Sequence, residues 1–403
     1  MSYYKSVRPA GPSGSTSLLC LGLVVALAAS VVVAQAPPAS KPPALKPPAA
    51  KLPALKLSAR WTMSLPAPPA HRAALSAQTL FVPVRNKRIV ALAVGDGAAR
   101  WTIDLAASGS LVFADSTLVV PGDRVVLGID PANGETRWRL PVDTAVSGTI
   151  TVAGDRIYVP LASGSLVVAQ LADGSRVSVG EIATTPLGSP LVVDGRVVVG
   201  ASDGQIAAFD ATAGRVSWTA RLGGAPTTMS ASGRDLYVGS DDNLLYSLDL
   251  TNGKRRWRWK SSADIVGTPL VEAKRVYFLS LDNQLRALDR GNGHQRWKRP
   301  LPIRPTHGPL RFGDRLLVAG LASEIRAYSP ETGEPAGAVD APDELAGPPM
   351  VVPLGTDTTG LLVMTRVGQV QLLEPAPPEA PKEEPKKEGT PPPDPPKPIK
   401  LSA

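Results

Sequence analysis

The stretch LDLTNGKRRWRWK at 248–260 returns forty residues later as LDRGNGHQRWKRP at 288–300. Self-similarity of that period commits a chain to a repeat architecture before any other property is weighed. The unit is a polar turn ending in glycine, three further residues, then tryptophan. Upstream it reads GDGAARW (95–101), ANGETRW (132–138) and TAGRVSW (212–218). The turn glycines are Gly97, Gly134, Gly174, Gly214, Gly253, Gly293 and Gly333, in steps of 37, 40, 40, 39, 40 and 40. Tryptophan follows four residues later at Trp101, Trp138, Trp218, Trp257 and Trp297, while Ser178 and Gly337 stand in that slot in two degenerate copies. Trp61, in LSARWTMSL, fills an eighth slot 40 residues before Trp101 with no turn ahead of it. At the other end VGQVQLLEP (367–375) resembles GQIAAFDAT (204–212) but stops before any turn or tryptophan. The two incomplete copies complement each other.

One period, 186–222, contains the short runs LVV, RVVVG, QIAAF and RVSWTA, separated by the turn residues DG, SDG and TAG. Runs of this length between Gly, Asp and Asn read as antiparallel strands, and such pairs supply the positive φ of tight hairpins. Four strands in about forty residues is one β-propeller blade. The pattern predicts an all-β fold: an eight-bladed propeller of four-stranded antiparallel blades, or seven blades if one degenerate copy is decorative. The strand around Trp61 is predicted to be the outer strand of the last blade, whose inner three strands come from about 349–375, leaving no long unpaired edge. Apolar residues at helical spacing are not found beyond the leader.

The organisation read from composition is a polar N-terminal region (1–17), a signal peptide or membrane anchor (18–35) and a Pro-, Ala- and Lys-rich linker (36–56). The propeller (57–375) and a disordered Pro-, Lys- and Glu-rich tail (376–403) follow. Leu18–Ala34 is apolar behind Lys5 and Arg8, long for a signal core and short for a spanning helix. Export to the periplasm or cell envelope is expected, with the leader cleaved or kept as the only membrane attachment. Cys20, the single cysteine, lies inside the leader, so disulfide and thiol chemistry are not expected.

The net charge of +8 looks like a nucleic-acid signal until it is apportioned. Residues 1–56 carry +6 and the tail balances to zero, leaving +2 for the propeller, with Lys and Arg scattered over hairpins. No basic face with interleaved aromatics emerges, so no nucleic-acid partner is expected. His71, His294 and His307 lie far apart in sequence and no pair has metal-ligand spacing. Asp241-Asp242-Asn243 and Asp282-Asn283 read as hairpin turns rather than calcium loops. No catalytic constellation is found, and neither cofactor nor metal is expected. Trp61, Trp101, Trp138, Trp218, Trp257 and Trp297 read as structural plugs between blades, since a ligand-stacking role would need them near the axis.

The elements LGSPLV (187–192), VGTPLV (266–271) and HGPLRF (307–312) recur at the start of a blade's first strand. The loops 184–190, 223–229, 264–269 and 304–309 are expected to cluster on one face, the candidate binding face. Leu187 is its candidate apolar anchor, and Arg304 and His307 are its candidate polar residues.

The repeat AFDATAGRVSW, SLDLTNGKRRW and ALDRGNGHQRW resembles the quinoprotein-type β-propeller repeat over about 57–375. Two families carry it. The chain resembles the BamB family, the non-enzymatic eight-bladed subunit of the outer-membrane β-barrel assembly machinery, in length, blade number, export and closing strand. That resemblance implies a monomeric scaffold with a BamA-like protein partner. The chain departs from the family in having no recognisable lipoprotein cysteine, and TTPLGSP (184–190) and GGAPTTM (223–229) hold no Arg or Asp, so no interface residue is carried over. It resembles pyrroloquinoline-quinone dehydrogenases only in the repeat, since their calcium and quinone ligands and vicinal disulfide cannot be placed here. A third reading is the sensor or ligand-binding propeller of another envelope system.

Overall fold

The computed structural model describes residues 52–376 except 183, 213 and 357; the leader and the tail lie outside the described residues. Among the described residues thirty-two strands, numbered β1 to β32 in chain order, make eight antiparallel sheets of four. Blades 1 to 7 each take four consecutive strands, spanning 74–103, 112–141, 151–181, 186–221, 226–260, 265–300 and 305–340. Blade 8 takes its inner three from 350–375, and its outer strand is β1 (Leu57–Ser64), paired antiparallel with β32 (Gln369–Pro375). The ring is therefore closed by the two ends of the sequence repeat, with Trp61 opposite Leu372.

The two middle strands of a blade are buried on both faces, as in VVVGA (197–201) and IAAF (206–209), because each blade is sandwiched between two others. The core is correspondingly a set of layers between blades rather than one central mass. Val198, Ile206, Ala208 and Trp218 of blade 4 pack against Leu236, Val238, Tyr246 and Leu248 of blade 5. Across the closure, Leu80, Val82, Val90 and Leu92 pack against Val352, Leu362, Val370 and Leu372. Burying a Val or Leu of this kind contributes about 1.5–3 kcal/mol, so each layer ties its two blades together strongly.

The repeated glycine and tryptophan meet across these layers. The indole of Trp218 lies flush on Gly253 of the next blade, where a Cβ would come within 2.5 Å of the ring, and Gly253 also holds a φ of +70°. Both demands penalise any side chain there. The indole N–H donates to the carbonyl of the next blade's turn: Trp61 to Val94 (2.8 Å), Trp101 to Pro131 (2.9 Å), Trp138 to Leu171 (2.8 Å). Trp218 bonds Leu250 (2.9 Å), Trp257 bonds Arg290 (3.1 Å) and Trp297 bonds Pro330 (3.1 Å). Trp138 and Trp218 are buried, and the other four are partly exposed.

Residues 52–56, read above as the end of the linker, pack on the ring instead. Leu55 forms a parallel β-bridge with Gly337, its N–H donating to the Ala336 carbonyl (2.9 Å), and Leu52, Leu55 and Leu57 join the layer between blades 7 and 8. Apolar spacing of leucine, LPALKL, was the available signal; the proline-rich composition masked it.

Candidate functional site

The innermost strands of blades 4 to 7 are β14 (Pro186–Val193), β18 (Pro226–Ser232), β22 (Ile265–Val271) and β26 (Pro305–Phe312). The segments expected as loops at 184–190, 223–229, 264–269 and 304–309 are for the most part the first residues of these strands. The reason is the Gly-x-Pro or Gly-Pro element. It does not end the strand but bulges it, so that pairing skips from Leu187 to Leu191, from Val266 to Leu270 and from His307 to Leu310. Gly188, Gly267 and Gly308 take φ of +70°, +67° and +97° at these bulges.

Neighbouring innermost strands touch backbone to backbone at the bulges. A Cβ on Gly267 would fall 2.1 Å from the Gly308 carbonyl oxygen, so the approach requires glycine. Side chains bridge the same seams: Thr227 Oγ1 donates to the Ile265 carbonyl (3.0 Å) and Thr228 to Thr268 (3.2 Å). The result is a rigid wall lined by prolines, threonines and backbone.

Two recesses open along this wall. The larger, about 340 Å³, is lined by Thr268, Thr306, His307, the Gly308–Pro309 pair, Pro348, Pro349 and Arg72 among others. The smaller, about 140 Å³, is lined by Leu187 to Ser189, Pro226 to Met229 and Thr268. Thr268 borders both, which places Leu187 and His307 in neighbouring recesses. Arg304 joins neither: its side chain is exposed, while its backbone carbonyl accepts from Leu321 (3.0 Å). The sequence reading therefore united three residues of which the structure brings two together.

Burial pushes the His307 imidazole down to about 4, helped by the positive charges of Arg72 and Arg366. It is neutral at ordinary pH and shares a hydrogen bond of 2.7 Å with Thr306 Oγ1. The recess thus offers a neutral imidazole, two threonine hydroxyls, proline faces and one guanidinium, a set suited to recognition through hydrogen bonds and apolar contact. Arg72 escaped the sequence reading because it sits in the non-repeating stretch before blade 1, where periodicity gives no register. Asn243 and Asn283 hold φ of +65° and +56° in tight turns between strands, as turn residues do. Among the described residues no three His, Cys, Asp or Glu side chains are grouped to hold a metal ion.

The sequence profile of the family described as "Outer membrane protein assembly factor BamB" matches residues 58–189, 180–235 and 221–343, well over half of the chain. The chain belongs to this family. A BamB of Moranella endobia is 28% identical over 154 residues, covering 33% of this chain and 39% of that relative. The chain thus spans about two fifths of the length of the curated relative it matches. In the fold, the crystal structure of BamB from Moraxella catarrhalis superposes with a TM-score of 0.64 at 16% identity, over 79% of this chain and 100% of that one. A quinohemoprotein alcohol dehydrogenase from Comamonas testosteroni reaches 0.64 at 11% identity, over 79% and 76%. Likeness at such identities establishes the propeller alone.

Proposed function

We propose that this chain is a non-enzymatic scaffold of the cell envelope that holds a protein partner at its central channel, in outer-membrane protein assembly. The observation that carries the reading is the run of four innermost strands whose bulges lock together and present Leu187, Thr268, Thr306 and His307 along two adjoining recesses. A wall already held by backbone contact binds with little ordering cost, which suits a platform. The name of the matching family supplies the process, and a BamA-like component is the partner this reading expects.

Photoreactive residues at positions 187, 226 and 306, against controls at the outer hairpin positions 254 and 294, test it in envelope preparations. Capture of an assembly component from the channel positions alone is the expected result. Capture from the outer hairpins, with nothing from the channel, refutes the placement. The 340 Å³ recess favours a second reading, a ligand-sensing propeller, because its volume falls within the range of small-molecule sites. A small molecule that co-purifies and is lost on His307→Ala would support that reading instead.

A further inference from the structure

The residue just before each plug tryptophan is the extra residue of a β-bulge, and in five blades it is arginine. Arg60, Arg100, Arg137, Arg256 and Arg296 all occupy that place. Four of them hold a carboxylate of their own blade: Arg60 with Glu374 (3.3 Å), Arg137 with Asp130 (2.9 Å), Arg256 with Asp249 (2.8 Å) and Arg296 with Asp289. These strands are the free outer edges of their sheets, and a charge on a bulge is a standard guard against another chain pairing there.

Blade 3 lacks the guard and the plug together. On its outer strand β13 (Arg176–Glu181) the bulge residue is Val177, the plug position is Ser178 and the next residue is Val179. Val177 and Val179 are 40% and 44% exposed, and Val216 on the outer strand of blade 4 is 50% exposed. The missing indole leaves a shallow notch toward blade 4, floored by Tyr158, Val168 and Phe209.

Blade 7 is the other copy without a plug, and its outer strand, PAGAVD, carries no charge before its last residue, whereas β13 begins with Arg176. At blade 7 the chain covers the edge itself. The extended segment Leu-Pro-Ala-Leu at 52–55 bridges Gly337 through Leu55, and Arg315 donates to the Pro53 carbonyl (2.7 Å). That segment is already engaged at blade 7, which stands opposite blade 3 in the ring.

We propose that the outer edge of blade 3 receives, from a partner protein, an extended leucine-bearing segment of the same kind that covers blade 7. Backbone pairing to the free edge of β13 would supply affinity, and apolar side chains alternating to its two faces, one over the notch beside Ser178 and another against the exposed valines, would supply selectivity. This surface is separate from the channel wall and does not depend on the reading given to it.

A fluorescein-labelled peptide of residues 50–57, AKLPALKL, titrated with the full chain and followed by anisotropy, tests the proposal. Saturable binding is expected, weakened at least tenfold by Val177→Arg with Val179→Arg and unchanged by Arg258→Ala on the outer strand of blade 5. Both valines are exposed, and a melting curve for the double variant, with Val177→Lys alone as a milder companion, verifies that the fold is kept. Absence of saturable binding, or equal binding by wild type and the arginine variant, overturns the proposal. Concentration-dependent self-association abolished by the arginine variant would assign the edge to a second copy of this chain and overturn the partner assignment.

Discussion

Replacing Trp218 by alanine tests the interlock between blades directly. The side chain is 8% exposed, its ring lies on Gly253 and its N–H serves the Leu250 carbonyl. A buried tryptophan removes about 150–250 Å² from water, which at about 25 cal/mol per Å² is roughly 4–6 kcal/mol. Alanine keeps the Cβ, and water reaches the abandoned carbonyl, so a loss of about 3–5 kcal/mol is expected. Gly253→Ala should cost on its own account about 1–2 kcal/mol for the left-handed backbone and about 1–3 kcal/mol for overlap with the indole. In the double variant the overlap disappears and only the backbone cost is added. The two substitutions should therefore fall short of additivity by about 1–3 kcal/mol, the signature of direct contact. Urea unfolding of the four proteins by far-ultraviolet circular dichroism measures this. Additivity within about 0.5 kcal/mol would refute the claim that glycine is there to receive the ring.

Removing Leu57–Ser64 strips the outer strand from blade 8 and unpairs the edge of β32, so a lower Tm and aggregation are expected; melting equal to that of a 36–50 deletion would refute closure by this strand. His307 titrates near 4 in the folded chain against its usual 6.5, so on acidification the unfolded state takes up the proton first. Its contribution is then full above about pH 6.5 and is lost as pH falls toward 4. The Tm of wild type should drop more than that of His307→Gln across this window, and parallel Tm curves would refute burial of a neutral imidazole.

The channel wall shows where sequence reasoning ran short. LGSPLV, VGTPLV and HGPLRF were recognised as one recurring element, and their place at the start of a blade's first strand was legible from the period. Glycine beside proline also signals a loop, and from sequence alone the loop reading was the natural one. The decision for a bulged strand came from the neighbouring blade. Gly267 approaches the Gly308 carbonyl because both strands bulge at the same level, each glycine holding a positive φ. Arg304 and His307 are three residues apart, yet one is exposed and the other is half-buried in a recess it shares with Arg72, a residue more than 230 positions away. Separation of that kind leaves no local trace.

The sequence by itself determined the repeat, the four-stranded blade and the closure by two complementary partial copies, and narrowed the count to seven or eight; the structure decided for eight, because both degenerate copies form complete four-stranded sheets. The sequence also marked Ser178 and Gly337 as departures from the plug. Only the tertiary structure decided what those departures mean: Leu55 covers the gap at Gly337, while Val177 and Val179 stand uncovered beside Ser178. The physical reason is that a repeat specifies contacts between equivalent positions, each blade meeting the next in the same way. What lies across an edge from a non-repeating segment has no equivalent position from which to be read.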